Sequence, residues 1–188
     1  MCIRDRDLIF RTFCEPGEDE VILLPPTYGM YGVLAKLNNV KAVNVPLNQN
    51  FELDIPRIMS SINQKTKVIF VCSPNNPTGN AIPQGQIKNL LDQFSGLIVV
   101  DEAYIDFSKT ATAIELMNDY PNLMICQTFS KAYGLAGIRL GIGFAKPEII
   151  NFFSFASSFG AFNLVQGNLR AGPNCSNMCF IPVCPPAR

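Results

Sequence analysis

The chain has 188 residues, with 15 basic and 15 acidic side chains and no histidine. That length supports one sizeable domain, and the balanced charge gives no electrostatic footprint for nucleic acid. The lack of histidine excludes a histidine base, a Ser-His-Asp triad and a His-ligated metal within this chain.

Read in chain order, short apolar runs alternate with helical patterns. Residues 21–24 form the first expected strand, running into Pro25-Pro26-Thr27-Tyr28-Gly29-Met30-Tyr31. Tyr28 there can stack on a flat ring or simply pack at a helix start. A helix over 29–37 and a strand over 42–46 follow. Asp54-Ile55-Pro56 opens the next helix, to about residue 61, with a capping residue and an early proline. A strand over 67–72 ends in Ser73-Pro74-Asn75-Asn76-Pro77-Thr78-Gly79-Asn80, where two prolines and a glycine make a stiff turn. That stiffness would hold the Asn76 amide in one place; an ordinary turn is the alternative.

Residues 83–94 carry Ile87, Leu90, Leu91 and Phe94 at helical spacing. The β-rich run 97–101 has the pattern of a strand buried on both faces and ends in Asp101-Glu102-Ala103-Tyr104. In open α/β sheets ligands bind at the carboxyl ends of strands, which puts Asp101 on the floor of such a crevice. Asp101 as an N-cap or turn residue is the plain alternative. A helix over 111–117, a strand over 123–127 and a strand over 139–144 complete the pattern. This alternation predicts a mostly parallel sheet between helices.

The strand over 123–127 leads into Thr128-Phe129-Ser130-Lys131-Ala132-Tyr133-Gly134, with Arg139 eight residues after Lys131. Lysine is costly to desolvate and is seldom buried without a reason. Beside a pocket it can lose its proton and become an amine nucleophile. Arg139 is a permanent charge suited to a phosphate. Together they suggest a pyridoxal-phosphate lysine with its phosphate clamp. Asp101 would then keep the pyridine nitrogen protonated, and Tyr104 would donate to the ring's phenolic oxygen. A surface lysine in a Gly-rich turn is the competing reading.

These successive strand ends, offering Tyr28, Asn76, Asp101 with Tyr104, and Lys131 with Arg139, resemble the fold-type I pyridoxal-phosphate-dependent aminotransferases. Within that group the Thr27-Tyr28-Gly29-Met30-Tyr31 run and the Asp101-Glu102-Ala103-Tyr104-Ile105-Asp106-Phe107 run are most similar to the histidinol-phosphate branch. The similarity covers roughly residues 7–150. It implies an α/β three-layer sandwich around a mostly parallel central sheet, the large domain of that group. It implies pyridoxal 5'-phosphate as cofactor, with Lys131 as the Schiff-base lysine and proton carrier and Asp101 on the pyridine nitrogen. Asn76 and Tyr104 would bind the phenolic oxygen, Tyr28 would stack on the ring, and Ser130 and Arg139 would bind the phosphate. Lys131, Asp101 and Tyr104 are the catalytic set, and no metal is implied. The reaction implied is amino transfer between histidinol phosphate and 2-oxoglutarate, giving imidazole acetol phosphate and glutamate, in histidine biosynthesis by a cytoplasmic homodimer. Alternatives are another enzyme of the same fold, such as an aromatic aminotransferase or a phosphothreonine decarboxylase, and a non-catalytic pyridoxal-phosphate-binding module. A nucleotide-binding reading of residues 134–141 is weak, because the spacing is not G-x-G-x-x-G.

Both ends depart from that pattern. Met1-Cys2-Ile3-Arg4-Asp5-Arg6 stands where relatives carry a Gly-Ser/Ala-Asp-Glu turn that cradles phosphate, and residues 1–6 read as foreign sequence. Residues 7–150 read as a partial cofactor-binding domain. After Glu148 there is no acidic residue, and 170–188 holds three cysteines and four prolines. Residues 151–188 therefore read as an aberrant tail, produced by a frameshift and poorly packed. On this reading the N-terminal arm and the small C-terminal domain, with its substrate-clamping arginine, are missing and the chain is an impaired fragment. The seven cysteines include no C-x-x-C pair, so zinc is not expected, and their odd number argues against a disulfide framework. No apolar run approaches the ~20 residues of a membrane helix, and the start lacks a signal-peptide pattern. The cytosol is the expected location.

Overall fold

The computed structural model describes residues 3–138, 140–158, 165–169 and 176–182. Helix α1 (Ile3–Phe13) comes first, followed by β1 (Glu20–Leu23), α2 (Met30–Leu37) and β2 (Lys41–Asn44). Next are α3 (Ile55–Ser61), β3 (Thr66–Cys72), α4 (Gln84–Gln93), β4 (Leu97–Asp101), β5 (Leu123–Thr128) and β6 (Leu140–Ala145). Helix α5 (Pro147–Ser158) and strands β7 (Val165–Leu169) and β8 (Ser176–Pro182) complete the described elements.

The strands form one sheet in the order β2-β1-β3-β4-β5-β6-β8-β7. The five from β2 to β5 run parallel, and β6, β8 and β7 add antiparallel pairs. The expected mostly parallel core is therefore present. β1 and β4 are buried at every position because both sheet faces are covered, as their continuous apolar runs require. Alternate residues separate the two faces. Val21, Val68, Phe70, Val99 and Met124 pack with Leu8, Ile9, Leu34 and Ile149 of α1, α2 and α5. Ile22, Ile69, Val71, Ile98 and Ile125 pack with Ile58, Ile87, Leu90 and Leu91 of α3 and α4. Each such aliphatic side chain contributes roughly 1.5–3 kcal/mol on burial. The result is the three-layer sandwich.

Several boundaries differ from the sequence expectation. Helix α1 begins at Ile3, within the segment read as foreign, and Arg6 is only 1% exposed. Residues 113–116 form a short 3-10 turn instead of a helix over 111–117, because Thr112 caps it and Glu102 captures the Ala113 N–H. Helix α5 runs into the stretch read as an aberrant tail. Pro147 and Glu148 supply its start, and Ile149 and Ile150 lie buried in the α1 face of the core. Strands β7 and β8 place part of the stretch expected to be poorly packed in the sheet, paired beside β6. Residues 159–164, 170–175 and 183–188 lie outside the described residues.

Candidate cofactor crevice

Parallel pairing puts the carboxyl ends of β1, β3, β4 and β5 along one sheet edge. The chain leaves β1 through α2 onto one face and leaves β3 through α4 onto the other. A crevice opens where such connections diverge. Asn75, 4% exposed, ties the two loops across it. Its amide donates to the Pro26 carbonyl at 2.8 Å and to Thr78 Oγ1 at 2.7 Å, while its Oδ1 accepts from Thr27 at 3.2 Å. Asn75 and the neighbouring Asn76 both line a cavity of about 540 Å³ with Pro74, Tyr104, Phe107, Ser108 and Lys109.

Lys131 sits in the turn after β5, with its Nζ 5.0 Å from the centre of the Tyr104 ring. Gly134, at φ +64°, donates its N–H to the Lys131 carbonyl and closes that turn. Ser130 Oγ is buried and has no hydrogen-bond partner among the described residues. A buried hydroxyl left unpaired costs about 1–3 kcal/mol, so it marks a place for a polar ligand atom. Tyr28 is partly buried, packs edge-on against Tyr31 at 5.4 Å, and its phenol is pushed upward, chiefly by burial. Of the expected site residues, Asn76 and Tyr104 line the cavity, Lys131 lies against the Tyr104 ring, and Asp101 is buried at the end of β4; Arg139 lies outside the described residues.

Asp101 is 1% exposed at the end of β4, and four donors surround its carboxylate. Arg6 Nε donates to Oδ2 at 3.0 Å, and Arg6 also reaches Oδ1. The Tyr31 hydroxyl donates to Oδ2 at 2.6 Å, and the Ala103 N–H to Oδ1 at 3.2 Å. Tyr31 is itself stacked on Phe70 at 4.9 Å, and Phe70 on Phe10 at 5.1 Å, a column that fixes the hydroxyl. Sequence reasoning missed Arg6 and Tyr31. Tyr31 lies three residues after Tyr28, but that spacing reads equally as helix packing. Cys72 is buried, and its thiol is pushed up to about 12, first by burial and then by Asp101.

Glu102 faces the opposite layer and staples it. It accepts from the Ala113 N–H at 2.6 Å, Thr112 Oγ1 at 2.6 Å and Gln127 Nε2 at 2.8 Å. Burial pushes its carboxyl above the ordinary value, against the pull of these donors. Replacing Glu102 by alanine strands these donors and is expected to cost about 1–3 kcal/mol in urea unfolding. The folded chain also keeps the Glu102 proton to a higher pH than the unfolded chain does. Stability therefore falls as pH rises through the window just above 4.5. Urea midpoints for Glu102→Gln should lack that component of the slope.

Among the described residues no group of His, Cys, Asp or Glu could hold a metal ion. The profile of the family described as aminotransferase class I and II matches residues 5–169. Histidinol-phosphate aminotransferase of Flavobacterium psychrophilum is 55% identical over 145 residues, which cover 77% of this chain and 42% of that protein. The enzyme of the same name from Christiangramia forsetii is 56% identical over 144 residues, covering 77% and 41%. The crystal structure of histidinol-phosphate aminotransferase from Clostridium acetobutylicum superposes with TM-score 0.73 at 23% identity, over 84% of this chain and 46% of that one. The alanine aminotransferase of Pyrococcus furiosus gives TM-score 0.71 at 26% identity, covering 82% and 41%. The chain spans about two fifths of the length of the curated relatives it matches.

Proposed function

Because the chain belongs to the class I and II aminotransferase family, a pyridoxal-phosphate-dependent family, we propose that its crevice holds pyridoxal 5'-phosphate and serves amino transfer from histidinol phosphate. The products are imidazole acetol phosphate and, through 2-oxoglutarate, glutamate, as in histidine biosynthesis. The relatives at 55% and 56% identity bear that enzyme's name, which supports the substrate. The observation that carries the cofactor is the Lys131 amine 5.0 Å from the Tyr104 ring, next to the unpartnered Ser130 hydroxyl. A lysine, a free hydroxyl and a buried carboxylate on one sheet edge fit the aldehyde, phosphate and ring-nitrogen ends of this cofactor.

When bound, the cofactor supplies a conjugated ring that takes up the electron pair left when a Cα–H bond breaks. The protein's part is positioning and proton handling. Lys131 Nζ anchors the cofactor, then carries the proton between the substrate carbon and the cofactor carbon. Asp101 holds the ring nitrogen in its cationic form, and Tyr104 and Asn76 donate to the phenolic oxygen. Ser130 and Arg139 take the phosphate, and Tyr28 covers the ring. A second copy of the chain as partner and a cytoplasmic location belong to the same proposal. Among the described residues no helix is long and apolar enough to cross a membrane.

The test is a single-turnover comparison of amino donors on the cofactor-loaded chain. Histidinol phosphate and L-glutamate are expected to convert the aldehyde form of the cofactor to the amine form, seen as loss of its long-wavelength absorbance. Conversion by L-phenylalanine in preference to both would assign a different substrate. Conversion by no donor would contradict the activity.

A further inference from the structure

The cofactor reading places a cationic ring nitrogen on Asp101, but in this chain that carboxylate already has a cation. Arg6 lies in α1, 95 residues away in sequence, and its guanidinium grips both oxygens of Asp101. An ionised carboxylate offers about four lone-pair sites. Arg6 Nε and Tyr31 share Oδ2, while the Arg6 terminal amine and the Ala103 N–H share Oδ1. Both partners of the ion pair are 1% exposed, so water cannot stand in for either one. Asp101 accordingly does not line the cavity that Asn76 and Tyr104 open toward solvent.

We propose that Arg6 is an internal competitor for the cofactor's ring nitrogen, holding Asp101 in a self-inhibited arrangement from which α1 must withdraw its side chain. This rests on the cofactor reading above and adds a regulatory contact to it. Arg6 mimics the cation that the site is built to receive. Two of the carboxylate's four contacts stay when the arginine leaves or turns: Tyr31 and Ala103 keep it oriented, and the ring nitrogen can take the vacated position on Oδ2. Anchoring at Lys131 and phosphate binding at Ser130 do not require Asp101. The contact therefore weakens cofactor binding without abolishing attachment at the lysine.

The probes are pyridoxal phosphate and its analogue with carbon in place of the ring nitrogen. Affinity is read by absorbance titration of the full chain, and attachment by borohydride reduction and peptide mass spectrometry. On the unaltered chain the two compounds are expected to bind alike, because the nitrogen has no access to Asp101. Arg6→Gln and Arg6→Leu are expected to tighten pyridoxal phosphate by about tenfold or more, since a hydrogen bond to a charged group no longer has to be broken. Neither variant should tighten the carbon analogue. Arg6→Gln keeps an amide donor for Asp101 and decides the matter if Arg6→Leu fails to fold. A preference of about tenfold or more for pyridoxal phosphate on the unaltered chain overturns the competition, as do unchanged affinities in the variants with Lys131 still labelled; both leave the cofactor reading standing. No labelling of Lys131 in any of the chains overturns both.

Discussion

Replacing Lys131 by alanine is expected to slow conversion of the cofactor from aldehyde to amine form by about 100- to 10 000-fold, the range set by a lost proton-transfer group. The reason is local. Lys131 Nζ is the amine the structure places over Tyr104, beside the unpartnered Ser130 hydroxyl. Phosphate and ring contacts remain in the variant, so the cofactor still binds, but it elutes unmodified after borohydride treatment. A small added amine should restore part of the rate, because it supplies a base in the space left by the side chain. A merely structural lysine would show no such rescue. A variant rate equal to that of the unaltered chain would remove Lys131 from the chemistry.

The largest effect on stability is expected at Asp101. Changing Asp101 to asparagine removes the carboxylate that the Arg6 guanidinium, buried at 1% exposure, grips through both oxygens. Breaking one side of a buried pair costs about 3–5 kcal/mol, far more than the pair itself contributes over an apolar substitute. With a urea slope of roughly 1–3 kcal/mol per molar, the midpoint should fall by about 1 M or more. Adding Arg6→Leu to Asp101→Asn should recover most of that loss, since neither member of the buried pair then carries a charge. The four-membered mutant cycle isolates the coupling between the two residues. Additive losses would mean that they do not interact in the folded protein.

Much of the crevice was legible in the sequence, and the reason is geometric. Parallel strands carry ligand-facing residues at their carboxyl ends, so an apolar run followed by a polar turn marks both the strand and the site. Asn76, Asp101, Tyr104 and Lys131 each follow such a run. What stayed hidden depends on long-range pairing. Arg6 meets Asp101 across 95 residues and Tyr31 meets it across 70. No local period signals either contact, and Arg6 lay in a segment whose composition looked alien to the rest. Asn75 and Asn76 are adjacent and alike in sequence; both line the cavity, and only the folded loop shows that Asn75 also staples the two loops. Helix α5 was obscured by its phenylalanines, which blur the apolar stripe that Ile149 and Ile150 turn toward the core. The 3-10 turn over Ala113–Leu116 was obscured because Glu102, a tertiary partner, sets its first N–H bond.

The most direct test of the cofactor crevice is a trap. The purified chain is incubated with pyridoxal phosphate, reduced with borohydride, digested and mapped by mass spectrometry. One pyridoxyl group per chain, on Lys131 and on no other lysine, is the expected result. Label scattered over several lysines, or none at all, would contradict a cofactor site built on the carboxyl ends of β3, β4 and β5.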